Sequence, residues 1–211
     1  MLKIKCVPVG TLSVNCYIVT DEASGKAAVI DPGAFTTRLS REIENIGFEN
    51  VEYILLTHGH FDHIGGVAAL LRKTQGKAKV VIHKDELTIA NDQMNNLSIP
   101  FMGQPISEPI KADVLVSDGD TVTLGESVFN VMHTPGHKLG SVCYMCGDNI
   151  FSGDTLFYRS AGRTDFPTGS VSELYKSLKR LAALEGDYNV YPGHDFKTTL
   201  ESERQHNSYL I

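Results

Sequence analysis

The sequence predicts an α/β protein in which two β-sheets pack against each other and helices cover their outer faces. Three observations carry this. In both halves of the chain, runs of β-branched and aromatic residues are followed by segments of helical period. The mostly apolar run Val51 to Leu56 reads as a buried strand and leads straight into Thr57-His58-Gly59-His60-Phe61-Asp62-His63. Later strand-to-loop junctions again carry histidine or aspartate, which points to one rim where strand ends deliver ligand-type side chains. A chain of 211 residues suits one domain, 1–211, with ample core.

Lys3 to Val7, Val14 to Thr20 and Ala27 to Asp31 read as strands, broken at Gly10-Thr11 and at Glu22-Ala23-Ser24-Gly25. Thr36 to Ile46 sets Leu39, Ile43 and Ile46 on one helical face, and Gly47 closes it. Beyond the ligand loop a helix is expected to about Lys73, a strand over Lys79 to His83 and a short helix over Lys84 to Asn91. His83, at a strand end, reads as structural. Asp92 to Asp113 has Pro100, Pro105, Pro109 and no clear period, yet holds Met94, Leu97, Ile99, Phe101 and Met102. It reads equally as a cover over the cleft and as irregular packing over the core.

Val114 to Val116, Thr121 to Leu124 and Ser127 to His133 are expected as strands of the second sheet. Strands at Ser141 to Cys146 and Asn149 to Ser152 follow, then a helix over Val171 to Leu184 burying Leu174, Leu178, Leu181 and Ala182. A short strand at Asn189 to Tyr191 and a helix from Leu200 to Tyr209, with His206 facing solvent, complete the chain.

Composition narrows the function. Hydrophobic content of 42% and charged content of 21% are those of an ordinary globule. A net charge of −6 and the lack of any basic block argue against a nucleic-acid partner. No apolar run is long enough to span a membrane and no signal-like segment opens the chain, so the expected location is cytoplasmic. Cys143 and Cys146 form a C-x-x-C, but odd spacing on a strand sends them to opposite faces, which favours packing over redox or zinc chemistry.

The ligand loop is the chemical centre. His58, His60 and Asp62 share i, i+2 spacing, so in extended backbone they project to one side. His63, at odd spacing, points elsewhere and implies a second ion close by. Asp62-His63 should sit near the N-terminus of the following helix. Imidazole and carboxylate ligands without thiolate suit zinc, with iron or manganese also compatible.

The same residues carry a resemblance. Thr57-His58-Gly59-His60-Phe61-Asp62-His63 resembles the T-H-x-H-x-D-H signature of the metallo-β-lactamase fold superfamily, most closely its small glyoxalase II-like hydrolases. Ile30-Asp31-Pro32-Gly33, His133-Thr134-Pro135-Gly136-His137, Ser152-Gly153-Asp154-Thr155 and Tyr191-Pro192-Gly193-His194 resemble its other motifs, in order. The resemblance implies an αββα sandwich of two mixed sheets with two divalent ions at its rim. It implies that His58, His60 and His137 hold one ion, that Asp62, His63 and His194 hold the other, and that Asp154 bridges them. Asp31 would support the ligand loop from behind. His133 reads as packed or supporting.

Two such ions roughly 3.5–4 Å apart share a water and lower its pKa from about 15.7 towards 7. Asp62 would orient the resulting hydroxide and take its proton. The implied activity is hydrolysis of a thioester such as S-lactoylglutathione, because a thiol leaving group with a pKa of about 8.5 needs no strong general acid. Only sixteen residues follow Asp195, so the helical domain with which longer relatives bind glutathione is absent. Lys138, Arg159 and Lys197 are the candidate contacts for an acidic, glutathione-linked substrate, with surface charge as the simpler account of each. Arg163 and Asp165 read as a structural pair. Gly162-Arg163-Thr164-Asp165-Phe166 also resembles the persulfide dioxygenases, which would use one iron on His58, His137 and Asp154 to oxidise glutathione persulfide.

Overall fold

Leu2–Val9 (β1) and Val14–Asp21 (β2) pair antiparallel, with Val9 opposite Val14 across the Gly10 turn. Ala27–Ile30 (β3) returns antiparallel to β2. Val51–Leu55 (β4), Lys79–His83 (β5) and Val114–Val116 (β6) then add in parallel, giving a mixed six-stranded sheet in chain order. This computed structural model describes residues 1–210.

The second sheet also has six strands. It is built from Thr121–Leu124 (β7), Ser127–His133 (β8), Val142–Cys146 (β9) and Asn149–Gly153 (β10). Leu156–Phe157 (β11) and Ser160–Ala161 (β12) form a small hairpin beside it. Asn189–Pro192 (β13) runs parallel to β10, and Thr198–Thr199 (β14) closes the far edge.

Helices cover both outer faces. Thr37–Glu44 (α1), capped by the Thr36 hydroxyl, buries Leu39 and Ile43, as the spacing predicts. Phe61–Ile64 (α2) and Val67–Lys73 (α3) lie on the same layer and contribute Ile64, Val67 and Leu70. Leu87–Asn91 (α4) and Ser98–Met102 (α5) are short. Val171–Ala182 (α6) and Leu200–His206 (α7) cover the second sheet through Leu174, Leu178, Leu181 and Leu200. Between the sheets Tyr17, Ile30, Leu55 and Val81 meet Phe129, Val131, Tyr144 and Phe151. The order helix, sheet, sheet, helix is the αββα sandwich expected from the motifs.

The structure corrects one strand. Val114–Val116 belongs to the first sheet, where Leu115 stands opposite Ile82, and the chain crosses to the second sheet only at the Ser117–Asp120 turn. Asp113 fixes that register by accepting the Val80 N–H at 2.8 Å. A three-residue strand carries too little pattern to show which edge it joins. The C-x-x-C reading holds: Cys143 packs under α6 and Cys146 between the sheets. Among the described residues no helix is long and apolar enough to cross a membrane.

Candidate metal centre

The site lies where strands of both sheets end. β4 stops at Leu55, and the chain stays irregular to His60 before turning helical at Phe61. The i, i+2 reading therefore applies to His58 and His60 alone. Asp62 sits on the α2 turn and reaches the site beside His63, so its place there owes nothing to an extended backbone. His137 arrives from the β8–β9 loop, Asp154 directly after β10, and His194 just past Gly193 after β13.

Close approach of these loops demands glycine at two places. Gly153 has a φ of +49°, and a Cβ there would meet Thr57 Oγ1 at 2.4 Å. At Gly193 a Cβ would meet Asp154 Oδ1 at 2.3 Å and His63 Cε1 at 2.8 Å.

All seven sequence-predicted ligands converge. His60 Nδ1 lies 3.0 Å from both His58 Nε2 and His137 Nε2. Nitrogens about 3.3 Å apart are what a tetrahedral ion with bonds of about 2.0–2.1 Å requires. Next to this trio, His194 Nε2 is 3.3 Å from Asp62 Oδ2, and His63 Nε2 is 3.7 Å from the same oxygen. Asp154 stands between the groups, with Oδ1 3.4 Å from His63 Nε2 and Oδ2 3.5 Å from His137 Nε2. Three sets have ligand atoms within 4.8 Å of one another: His58/His60/His137, His58/His63/Asp154 and Asp62/His63/His194.

Hydrogen bonds behind the rings set which nitrogen faces inward. His63 Nδ1 donates to Asp31 Oδ2 at 2.9 Å, and His137 Nδ1 donates to the Arg163 carbonyl at 2.7 Å. His58 Nδ1 lies 3.1 Å from the Thr57 hydroxyl, which itself donates to Asp31 at 2.6 Å. Each of these rings thus turns its Nε2 towards the common centre. Asp31 also accepts the Thr57 N–H at 2.8 Å, so it braces the loop from behind, at a left-handed φ of 49°.

The electrostatics match a cation. Burial, reinforced by neighbouring imidazoles, pushes His58 and His60 well below the usual histidine pKa, so both are neutral and able to ligate. Burial works against a charged His63, but Asp154, Asp62 and Asp31 outweigh it and push its pKa up to about 10. Burial opposes ionisation of Asp62 too, yet His63 and the His194 hydrogen bond carry it below the ordinary carboxylate range. His63 Nε2 and Asp154 Oδ1 are buried without a hydrogen-bond partner among the described residues. Orphaned groups of this kind, beside clustered carboxylates, fit bound divalent metal.

None of the three candidate substrate cations is among the side chains lining the cavity at this cluster. Lys138 is wholly buried and donates to the Asn95 and Pro167 carbonyls at 3.0 and 2.9 Å. Arg159 is held on α7 by the Ser202 carbonyl and hydroxyl at 2.6 and 3.1 Å. Lys197 sits over the Tyr191 ring, 4.7 Å from its centroid. A charge read from sequence carries no depth: Lys138 and Arg159 are held by carbonyls of neighbouring elements, while Lys197 is exposed. Arg163 and Asp165 form the expected pair, bidentate at 2.6 Å.

Sequence reasoning missed Glu86. It is fully buried and accepts the Gly59 N–H at 3.0 Å and the Gly140 N–H at 2.8 Å, tying the His58–His60 loop to the His137 loop. Nothing local marks it, because its partners come from two distant loops. His83 and His133 stack at 4.1 Å away from the centre, and His133 Nε2 donates to the Leu139 carbonyl at 2.8 Å.

Residues 9–194 match the family model of the metallo-beta-lactamase superfamily. The chain belongs to that superfamily. Proteins of this fold bind divalent metals, which agrees with the ligand sets described above. Among relatives, hydroxyacylglutathione hydrolase GloC of Haemophilus influenzae is 31% identical, covering 99% of this chain and 98% of its own. Among solved structures, the B3 metallo-beta-lactamase BLEG-1 has a TM-score of 0.90 at 34% identity, covering 99% of this chain and all of its own. TTHA1623, solved in a di-iron-bound form, has a TM-score of 0.83 at 33% identity, covering 98% and 100%. ETHE1 from Myxococcus xanthus has a TM-score of 0.77 at 32% identity, covering 98% and 83%.

Proposed function

We propose that this protein is a binuclear metal-dependent hydrolase of the cytoplasm that cleaves thioesters, S-lactoylglutathione or a related hydroxyacyl thioester being the first to assay. The observation that carries the reading is the pair of adjoining ligand sets with Asp154 between them, on a chain similar over 99% of its length to GloC. His58, His60 and His137 would hold one ion, Asp62, His63 and His194 the other, and Asp154 both; zinc is the favoured metal. Four unpaired cysteines suit a reducing compartment.

When bound, divalent ions supply Lewis acidity that makes water nucleophilic near neutral pH and polarises an acyl carbonyl. The protein's own part is positional. Asp31, Thr57 and the Arg163 carbonyl hold the imidazoles in the ligating tautomer. Asp62 would accept a hydrogen bond from the attacking water, align it and take up its proton. Water oxygen bonds to the acyl carbon, the C–S bond breaks, and a carboxylate, a thiol and a proton leave.

A second reading, an iron oxygenase acting on glutathione persulfide, rests on the resemblance of Gly162 to Phe166 to the persulfide dioxygenases, alongside the overall likeness to ETHE1. The test is a turnover panel on metal-loaded protein with S-lactoylglutathione, a chromogenic β-lactam and glutathione persulfide. Thioester cleavage is expected to exceed the other two by at least tenfold. Oxygen uptake with persulfide, or β-lactam opening without thioester cleavage, would overturn the reading.

A further inference from the structure

We propose that the cavity at the metal centre selects its substrate by an uncharged, apolar acyl group and does not grip a glutathione moiety; this deepens, and rests on, the hydrolase reading. The cavity, about 450 Å³, contains His60, Asp62, His137, Asp154 and His194 in its floor. Its walls are Leu12, Phe61, Leu97, Phe101, Phe157 and Phe166. These rings form a connected set. Phe61 stacks on Phe101 at 6.0 Å, Phe101 meets Phe166 edge-on at 5.8 Å, and Phe166 meets His60 edge-on at 5.8 Å.

At the mouth, Phe101 is 54% exposed and Leu12 45% exposed, one from α5 and one from the β1–β2 turn. Apolar surface left open beside a reactive centre is stabilised when a ligand covers it. A second cavity of about 470 Å³ adjoins the first across Phe61 and Asp62 and gives a longer chain somewhere to run.

Anionic groups find no matching partner. Among the described residues lining the metal cavity, Arg163 is the one lysine or arginine. Its guanidinium is already bidentate to Asp165 and lies 4.0 Å from the Phe166 ring centroid. Asp195 adds negative charge to the same wall. On that lining a peptide-like thiol with two carboxylates would meet no free lysine or arginine, whereas an alkyl or aryl acyl group would cover apolar surface open to water at Leu12 and Phe101.

The test crosses two acyl groups, lactoyl and phenylacetyl, with two thiols, glutathione and N-acetylcysteamine. Each kcat/KM on zinc-loaded protein is divided by the rate of hydroxide hydrolysis of the same ester. Phenylacetyl is expected to be favoured over lactoyl by about tenfold, and the two thiols to differ by less than about threefold. Phe101→Ala should cut the acyl preference by about tenfold with metal content unchanged; the exposed position makes the truncation tolerable. Calorimetric titration with 4-phenyl-2-butanone and S-methylglutathione, neither of them hydrolysable, provides a second readout. The ketone should bind, and bind about tenfold more weakly to Phe101→Ala. Tighter binding of S-methylglutathione than of the ketone, or a hundredfold preference for glutathione esters, overturns the inference while leaving a thioester hydrolase in place. Ketone binding without turnover of any thioester removes the hydrolase reading and leaves the apolar preference standing.

Discussion

Asp31 Oδ2 lies 2.9 Å from His63 Nδ1, with both side chains almost wholly buried. That bond fixes the imidazole so that Nε2 faces Asp154, and the same carboxylate holds Thr57 by its N–H and its hydroxyl. Asp31→Asn keeps the shape but presents an NH₂ group where an acceptor oxygen is needed. Affinity for the ion assigned to Asp62, His63 and His194 is expected to fall about 10–100-fold. Competition with a chromogenic chelator measures it, and an unchanged affinity would show that the ring needs no such brace.

Glu86 extends the argument to the loops themselves. Both its oxygens are engaged, one on Gly59 N–H and one on Gly140 N–H. Glu86→Gln turns one of these into a donor facing a donor. Stability should drop by about 1–3 kcal/mol in urea unfolding. Metal affinity should fall with it, because the His58–His60 and His137 loops lose their common tie. A variant as stable as the parent would mean that the two loops are held by other contacts.

Lys138 separates a buried support from a substrate contact. Its ammonium bridges the Asn95 carbonyl of the cover segment to the Pro167 carbonyl beside Phe166. Lys138→Met leaves two carbonyls unpaired and is expected to cost about 1–3 kcal/mol of stability, with KM for an anionic thioester changed by less than about twofold. A large rise in KM at unchanged stability would return Lys138 to the cleft.

The candidate ligands were legible because each sits in a short motif near a strand end, where chemistry and backbone coincide. His58, His60, His137, Asp154 and His194 needed only that pattern. Asp62 joins the cluster by a helical turn, so the i, i+2 spacing pointed to it for the wrong geometric reason. The segment Asp92 to Asp113 was open to two readings and the structure gives both: Leu97 and Phe101 line the cavity and Met102 its neighbour, while Leu97, Ile106 and Ile110 pack into the core. Glu86, the depth of Lys138 and the sheet that β6 joins depend on distant elements meeting, and no local spacing records that.

The stacked pair His83 and His133 gives a pH dependence remote from the metal. Burial, then the neighbouring His133, lowers the His83 pKa to about 4, against Asp85, which raises it. An unfolded histidine titrates near 6.5. The neutral ring therefore contributes stability that is present above about pH 6.5 and is lost as pH falls through about 4. His83→Phe keeps a ring against His133 and removes the titration. Between pH 7 and 4 the metal-free parent should lose on the order of 1–2 kcal/mol more than the variant in denaturant unfolding. Parallel losses would show that His83 titrates normally.

Metal stoichiometry bears most directly on the proposal of two ions at this centre. Plasma mass spectrometry on protein purified without added chelator is expected to find two divalent ions per chain, and at most one in Asp154→Ala, with no oxygen uptake on glutathione persulfide. One iron per chain accompanied by oxygen uptake, or two ions retained by Asp154→Ala, would contradict it.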